Sequence, residues 1–95
     1  MNRNQPYRFR EAKDPDAVLD YQIDWSSWLA SEETLTDSVW EVTGATALSS
    51  SFDEGITTVW LSGGEVGTLI SATNRITTSE GRIDDRTVQI PVAER

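Results

Sequence analysis

The sequence contains no cysteine and no histidine. Without cysteine there is no disulfide framework, no thiolate nucleophile and no zinc site of the usual thiolate type. Extracellular domains of this size often carry disulfides, so the absence favours synthesis in a reducing cytosol. Without histidine the chain lacks the commonest general base and the commonest transition-metal ligand. We therefore predict a non-enzyme with no catalytic, cofactor-binding or metal-binding residues, although carboxylates alone can catalyse glycoside hydrolysis.

Long apolar runs are also missing. No stretch approaches the roughly 20 apolar residues that a membrane span needs, and the polar, basic N-terminus has no apolar run typical of a signal peptide. We expect a soluble protein without a membrane partner. A chain of 95 residues is the length of a single domain.

Positive charge is absent from most of the chain. Residues 14–74 contain no lysine or arginine but eleven acidic residues, whereas the first thirteen residues hold Arg3, Arg8, Arg10 and Lys13 against one acid. The net charge of −8 repels nucleic acid, so we expect no nucleic-acid partner. The negative charge is explained by solubility alone, or by a basic arm of one copy that meets the acidic body of a neighbour.

Apolar and polar residues alternate with a period of two in several segments, which is typical of half-buried strands. The pattern is clear at residues 18–25 and returns at 70–76 and 88–92. A turn around Gly81 joins the last two segments and predicts a β-hairpin. The alternation breaks at residues 26–35, where a single helical turn fits the spacing of the apolar residues.

About seven such strands, with turn signals about every 8–12 residues, predict an all-β, immunoglobulin-like β-sandwich, and a short β-barrel is the competing architecture. The domain is expected to span residues 14–95 and to begin at the turn Asp14-Pro15-Asp16. Residues 1–13 are expected to form an extended basic N-terminal arm, ordered mainly on contact with another molecule. The residues predicted to be largely buried are Trp25, Trp40, Ile70 and Val88.

The four tryptophans are the strongest candidates for a contact surface. Trp25 lies on an apolar face and is predicted to be core, and Trp28 is intermediate. Trp60 lies between Val59 and Leu61, which must take the opposite face of their strand. If Val59 and Leu61 fill the core, Trp60 is exposed and could act as a protein-binding hot spot or a sugar-stacking platform.

Two clusters of acidic residues are candidates for calcium binding or for acid–base catalysis. The aspartates at residues 14–24 could suggest calcium, but they lack the loop spacing of a calcium-binding hand, so a solvated face is preferred. Asp84 and Asp85 with Glu80 form the best carboxylate cluster for acid–base work. Arginines alternate with these acids, so cross-strand ion pairing is preferred. The glycines at 63–64 predict a tight turn.

Three strings carry a resemblance to a known family: VWLSGG, TNRITTSEGRIDDRT, and DYQIDWSSWL preceded by KDPD. Together they resemble a family of small phage and prophage proteins labelled fiber–tail adaptor proteins, over the stretch from Lys13 to Arg95. The ending PVAER departs from the basic ending of the relatives. The resemblance implies an immunoglobulin-like virion component near the neck or tail, with no catalytic residues to carry over.

The function predicted from the sequence is a structural component of a tailed-phage virion. We expect an adaptor, collar or decoration subunit that joins other virion proteins, in multiple copies of a symmetric assembly, after synthesis in the cytoplasm of the bacterial host. The alternatives are a carbohydrate-binding module that uses an exposed tryptophan and a carboxylate-only hydrolase. The residues predicted to bind partners are Arg3, Tyr7, Arg8, Phe9, Arg10, Lys13 and Trp60.

Overall fold

A computed structural model describes residues 7–95, which form seven strands and no helix. The strands are β1 (Tyr7–Arg8), β2 (Val18–Asp24), β3 (Leu35–Thr43), β4 (Thr46–Asp53), β5 (Ile56–Ser62), β6 (Leu69–Thr78) and β7 (Ile83–Pro91). One sheet has the order β1-β7-β6-β3 and the other has the order β2-β5-β4. Within the described residues no strand pairing joins the two sheets. The all-β prediction with about seven strands is confirmed, in a sandwich-like arrangement rather than a closed barrel.

The immunoglobulin-like form of the sandwich stays a prediction. The separation of β2, β5 and β4 from β3, β6 and β7 supports it, because immunoglobulin domains divide their strands between two sheets in this way. No helix in residues 7–95 has the length and apolar character needed to cross a membrane.

The hairpin of β6 and β7 forms as the alternation predicts. On β6 the even-numbered residues from Ile70 to Ile76 are buried, and on the C-terminal part of the chain Val88, Ile90 and Val92 are buried against them. The turn between the two strands contains Gly81 at a φ of 82°, a left-handed conformation that favours glycine. Pro91 lies at the end of β7, where the ladder with β6 finishes.

The core contains three of the four residues predicted for it. Trp25, Ile70 and Val88 are buried, but Trp40 is only half-buried. Trp40 lies on β3, which is an edge strand of its sheet, and the next strand along the chain, β4, is exposed over its whole length. The core is therefore thin at this side of the sandwich, and less protein covers the Trp40 ring.

The sequence predicted the connection after β2 correctly and the connection after β5 incorrectly. The single helical turn after β2 forms, since the N–H groups of Trp28 and Leu29 both donate to the carbonyl of Trp25, at 2.9 and 3.1 Å. The tight turn predicted at Gly63 and Gly64 is wrong, because the chain there leaves β5 and crosses to β6 in the other sheet. The turn of this connection lies further along the chain, where the Thr68 N–H donates to the Glu65 carbonyl at 3.1 Å.

A buried carboxylate fixes the connection between β2 and β3 against the β6–β7 turn. Glu33 accepts two hydrogen bonds from the guanidinium of Arg82, at 2.6 and 2.9 Å, and one from the Thr78 hydroxyl. It also accepts from the Ala30 N–H at 2.8 Å, and Arg82 lies 4.0 Å from the centre of the Trp28 ring. These hydrogen bonds, above all those from Arg82, lower the pKa of Glu33 to about 2.

The lowered pKa of Glu33 predicts a specific acid sensitivity. An ordinary glutamate titrates near pH ~4.3, so the folded state holds the Glu33 proton less tightly than the unfolded state. The stabilisation is therefore present above about pH 4.3 and is lost as the pH falls towards 2. We expect the melting temperature of the wild type to fall more steeply over this window than that of Glu33→Gln. Thermal unfolding over a pH series measures this, with exposed Glu32→Gln as the control for charge, and equal slopes would contradict it.

Candidate functional site

Trp60 lies on the central strand of the sheet β2-β5-β4. Its neighbours Val59 and Leu61 on β5 are fully buried, and Thr57 is buried on the same side. Successive side chains of a strand point to opposite faces, so the Trp60 ring lies on the outer face, where it is 42% exposed. The sequence left this side chain with two possible environments, and the structure places it at the surface.

We call the outward side of this sheet the Trp60 face. Its row across the three strands places Trp60 between Asp20 of β2 and Ser49 of β4. The next row consists of Gln22, Thr58 and Ser51. The face thus combines one large aromatic ring with carboxylate, amide and hydroxyl groups. Such a ring supplies contact area at low entropic cost, and the polar groups around it can fix the orientation of a partner.

The electrostatic character of the Trp60 face is acidic. It carries Asp20, Asp24 and Asp53, and the strands β2, β4 and β5 contain no lysine or arginine. The hydroxyl and N–H of Ser26, the latter at 2.9 Å, lower the pKa of Asp24. Within residues 7–95 the side chains of Asp20 and Asp53 have no hydrogen bond or ion pair. A positively charged surface is therefore the complementary partner.

The described part of the N-terminal arm lies against its own domain. Tyr7 and Arg8 form β1, which pairs in parallel with β7, and the Phe9 N–H donates to the Gln89 carbonyl at 2.9 Å. The half-buried Phe9 ring packs against Tyr21 of β2 at a centroid distance of 5.3 Å. The segment therefore closes one side of the sandwich. This differs from the expected arm that is ordered mainly on contact with another molecule.

Lys13 differs most from its predicted role as a partner-binding residue. The residue is fully buried, and its ammonium donates to the carbonyls of Gly63 at 2.7 Å and Asp14 at 3.0 Å. Burial lowers the pKa of the Lys13 ammonium, and the nearby carboxylates of Asp14 and Asp16 partly offset this. In this conformation Lys13 fastens the segment to the loop after β5. Its position in a basic stretch of sequence gives no sign of this role.

The other predicted contact residues are divided between two parts of the molecule. Tyr7, Arg8 and Arg10 are exposed, with Tyr7 59% exposed, and they lie at the β1 edge of the first sheet. Trp60 lies on the outer face of the second sheet, so the structure does not bring it together with these residues. Arg3 lies outside the described residues. The partner-binding assignment of these residues stays a prediction.

Asp84 and Asp85, the carboxylates considered for acid–base chemistry, lie on opposite faces of β7. Asp84 is buried opposite Ile76, whereas Asp85 lies on the outer face opposite Arg75. Arg75 donates two hydrogen bonds to Asp85, at 2.8 and 3.1 Å, as the preferred interpretation of cross-strand ion pairing predicts. Because Asp84 and Asp85 lie on opposite faces of β7, they cannot act on one substrate as a pair. Among residues 7–95 no three acidic side chains form a group that could hold a metal ion.

These features define a small all-β domain whose most distinctive exposed feature is an acidic sheet face with a central tryptophan. That is the class of small structural β-sandwich domains. The chain belongs to the family described as podophage GP4 fiber-tail adaptor protein gp77, whose sequence model matches residues 13–91. A search of curated proteins found no match.

Membership of this family confirms the predicted resemblance and gives the chain a structural role in a phage virion as a fiber-tail adaptor. An adaptor family implies binding to other virion proteins, such as the tail fiber, and a location in the virion. The family match covers Lys13, whose buried ammonium fastens the N-terminal segment. It ends at Pro91, the last residue of β7.

Proposed function

We propose that this protein is an adaptor subunit near the neck or tail of the virion, and that it binds a basic surface of another virion protein through the Trp60 face. The observation that carries the proposal is the exposed Trp60 ring at the centre of a sheet face that holds carboxylates and no cation. An exposed indole in the middle of a sheet is a common anchor of protein interfaces. Collar and decoration positions are the related alternatives for the same surface.

The role of Trp60 is tested in the virion. In phage particles that carry Trp60→Ala, we expect binding of the adaptor to weaken by about 2 kcal/mol, roughly thirtyfold, because loss of an interface hot spot has this size. Purified particles should contain fewer adaptor copies and fewer fibers, measured by quantitative mass spectrometry. Trp60→Phe, which keeps an aromatic ring, should retain part of the binding. Particles with wild-type adaptor and fiber content in Trp60→Ala would overturn the proposal.

A matched control separates the Trp60 face from general surface effects. Ile83 is a large apolar residue, exposed on the outer face of the other sheet. Ile83→Ala removes a comparable apolar surface, and we expect it to leave the adaptor content of the particles unchanged. Binding through the Trp60 face should also weaken as salt rises, because opposite charges at an exposed interface are screened.

Carbohydrate binding is the second candidate for the same surface. It is favoured by the polar neighbours of the Trp60 ring, since Asp20 and Ser49 flank the ring and could hydrogen-bond to sugar hydroxyls. A glycan array probed with the wild type and with Trp60→Ala distinguishes the two candidates. Glycan binding that disappears with Trp60→Ala, in particles of normal adaptor content, would support the carbohydrate-binding module instead.

A further inference from the structure

The two sides of the sandwich are closed to different extents. At one side β1 lies beside β7, and the Phe9 ring fills the space next to Tyr21 of β2. At the opposite side lie the edge strands β3 and β4, which contact each other but pair with no further strand within residues 7–95. In the sheet β1-β7-β6-β3, the edge strands β1 and β3 are three strand spacings apart, roughly 14 Å. One chain therefore presents a covered edge and an open edge.

The open edge at β4 lacks the features that usually protect an edge strand. All 8 of its residues are exposed, and residues 46–52 contain no charge and no proline. The other edge strand, β3, is protected by the charged residues Asp37 and Glu41. On β4 the only protecting irregularity is a bulge near Ala47. From Ser49 to Asp53 the pairing with β5 is regular, and within residues 7–95 no strand pairs with the other side of β4, so its outer backbone groups can accept another strand.

An apolar groove adjoins the C-terminal end of β4. It has a volume of about 460 Å³ and is lined by the apolar side chains of Leu29, Leu35 and Phe52. Asp53 and Glu54 stand at the groove, and within residues 7–95 neither carboxylate has an ion-pair partner. The edge thus offers backbone hydrogen bonds, an apolar recess and negative charge in one place.

The covered edge of the same chain carries complementary groups. Tyr7 is 59% exposed, with its ring edge-on to Phe9 at 5.2 Å, and Arg8 and Arg10 of the same segment are exposed too. Within the described part of the chain neither arginine has an ion-pair partner. An exposed aromatic ring beside two guanidinium groups matches an apolar groove beside two carboxylates in polarity and in charge.

We propose that the β1 edge of one copy docks on the β4 edge of a second copy, with Tyr7 in the groove and Arg8 and Arg10 against Asp53 and Glu54. The two edges lie on opposite sides of the molecule, so the contact is head-to-tail. Each copy keeps one free edge after pairing, and repetition gives a ring when the rotation closes. The Trp60 ring stays outside this contact, because it lies on the central strand of its sheet, whereas Asp53 on β4 belongs to both surfaces.

The test uses two variants of the full chain, each with one edge neutralised. One is Arg8→Gln with Arg10→Gln, and the other is Asp53→Asn with Glu54→Gln. By sedimentation velocity at low salt, we expect the wild type to form oligomers whose population falls as salt rises. Each variant alone should stay monomeric at concentrations where the wild type associates. An equal mixture should form dimers and nothing larger, because only one productive pair of edges remains.

Each result of this experiment decides for or against the proposal. A monomeric wild type, association of either variant at the wild-type level, or no dimer in the mixture would overturn it. Urea midpoints close to that of the wild type verify that the variants are folded. Trp60→Ala should associate as the wild type does, so a failure of this inference is distinguishable from a failure of the proposed Trp60 face. If the β4 edge instead receives another virion protein, the Asp53 and Glu54 variant loses adaptor content in particles, while the wild type stays monomeric and Trp60→Ala keeps its adaptor content.

Discussion

Replacement of Trp25 by alanine is expected to lower the free energy of unfolding by about 3–5 kcal/mol, because a large aromatic side chain leaves a cavity in the core. Trp25 is fully buried, packs at 5.4 Å from the Trp28 ring, and has the Arg86 guanidinium 4.2 Å from its own ring centre. Domains of this kind are stable by about 5–15 kcal/mol, so the variant approaches unfolding. Urea denaturation followed by circular dichroism measures the loss.

Trp60 provides the matched control for this experiment, since the same chemical change is made at an exposed position. Trp60→Ala should cost about 1 kcal/mol or less, the usual range for a cross-strand contact on an open sheet face. A similar loss of stability in both variants would mean that the two tryptophans are buried to a similar extent, and would contradict the assignment of Trp60 to the surface.

Replacement of Asn74 by alanine is expected to cost about 2–4 kcal/mol, because each buried polar group left without a partner costs about 1–3 kcal/mol. Asn74 is fully buried, and its carbonyl oxygen accepts from the Trp25 indole N–H at 3.0 Å and the Thr57 hydroxyl at 2.7 Å. Its amide donates to the Ser38 hydroxyl at 2.9 Å and the Val39 carbonyl at 3.1 Å. The Asn74 side chain thus connects the two sheets. An alanine side chain has no donor or acceptor and would leave these partners without their hydrogen bonds.

The isosteric variant Asn74→Asp tests whether hydrogen bonding or shape is decisive. The carboxylate can accept from Trp25 and Thr57, but it cannot donate to Ser38 and Val39. Burial disfavours its charged form, so its pKa should rise in the folded state. Relative to the wild type, Asn74→Asp should therefore be most stable at low pH, and the loss of stability should grow as the pH rises through that pKa. A variant as stable as the wild type at neutral pH would show that the donated bonds contribute little.

Local sequence patterns were sufficient for the strands and for much of the core. Alternation predicted one inner face for Leu19, Tyr21, Ile23 and Trp25, of which Ile23 and Trp25 are buried, Tyr21 is half-buried and Leu19 is exposed. It also predicted the buried positions of β6 and β7. This works because the period of two is a property of the strand itself, and it needs no knowledge of the partner strand. The charge pattern likewise separated an acidic body from a basic N-terminal segment.

The positions of several side chains depended on which strands became neighbours. Trp40 looked like a core residue, but it became half-buried because β3 is an edge strand. Asn74 was placed on the buried face by alternation, yet its four hydrogen-bond partners come from distant parts of the chain. Nothing in the local pattern around Lys13 distinguishes a buried ammonium from a solvated one. Sheet order and register decide such contacts, and both depend on residues far apart in sequence.

The sequence by itself therefore determined that this chain is a small all-β adaptor-family domain with an acidic body, because strand period, turn chemistry and charge are local properties. Tertiary structure alone decided that Tyr7 and Arg8 pair with β7 and that β4 is left as an edge strand. It also decided that Trp60 stands at the centre of an acidic face. The physical reason is that a surface consists of residues brought together by strand pairing, and the energy of that pairing is shared among contacts that no short window of sequence contains.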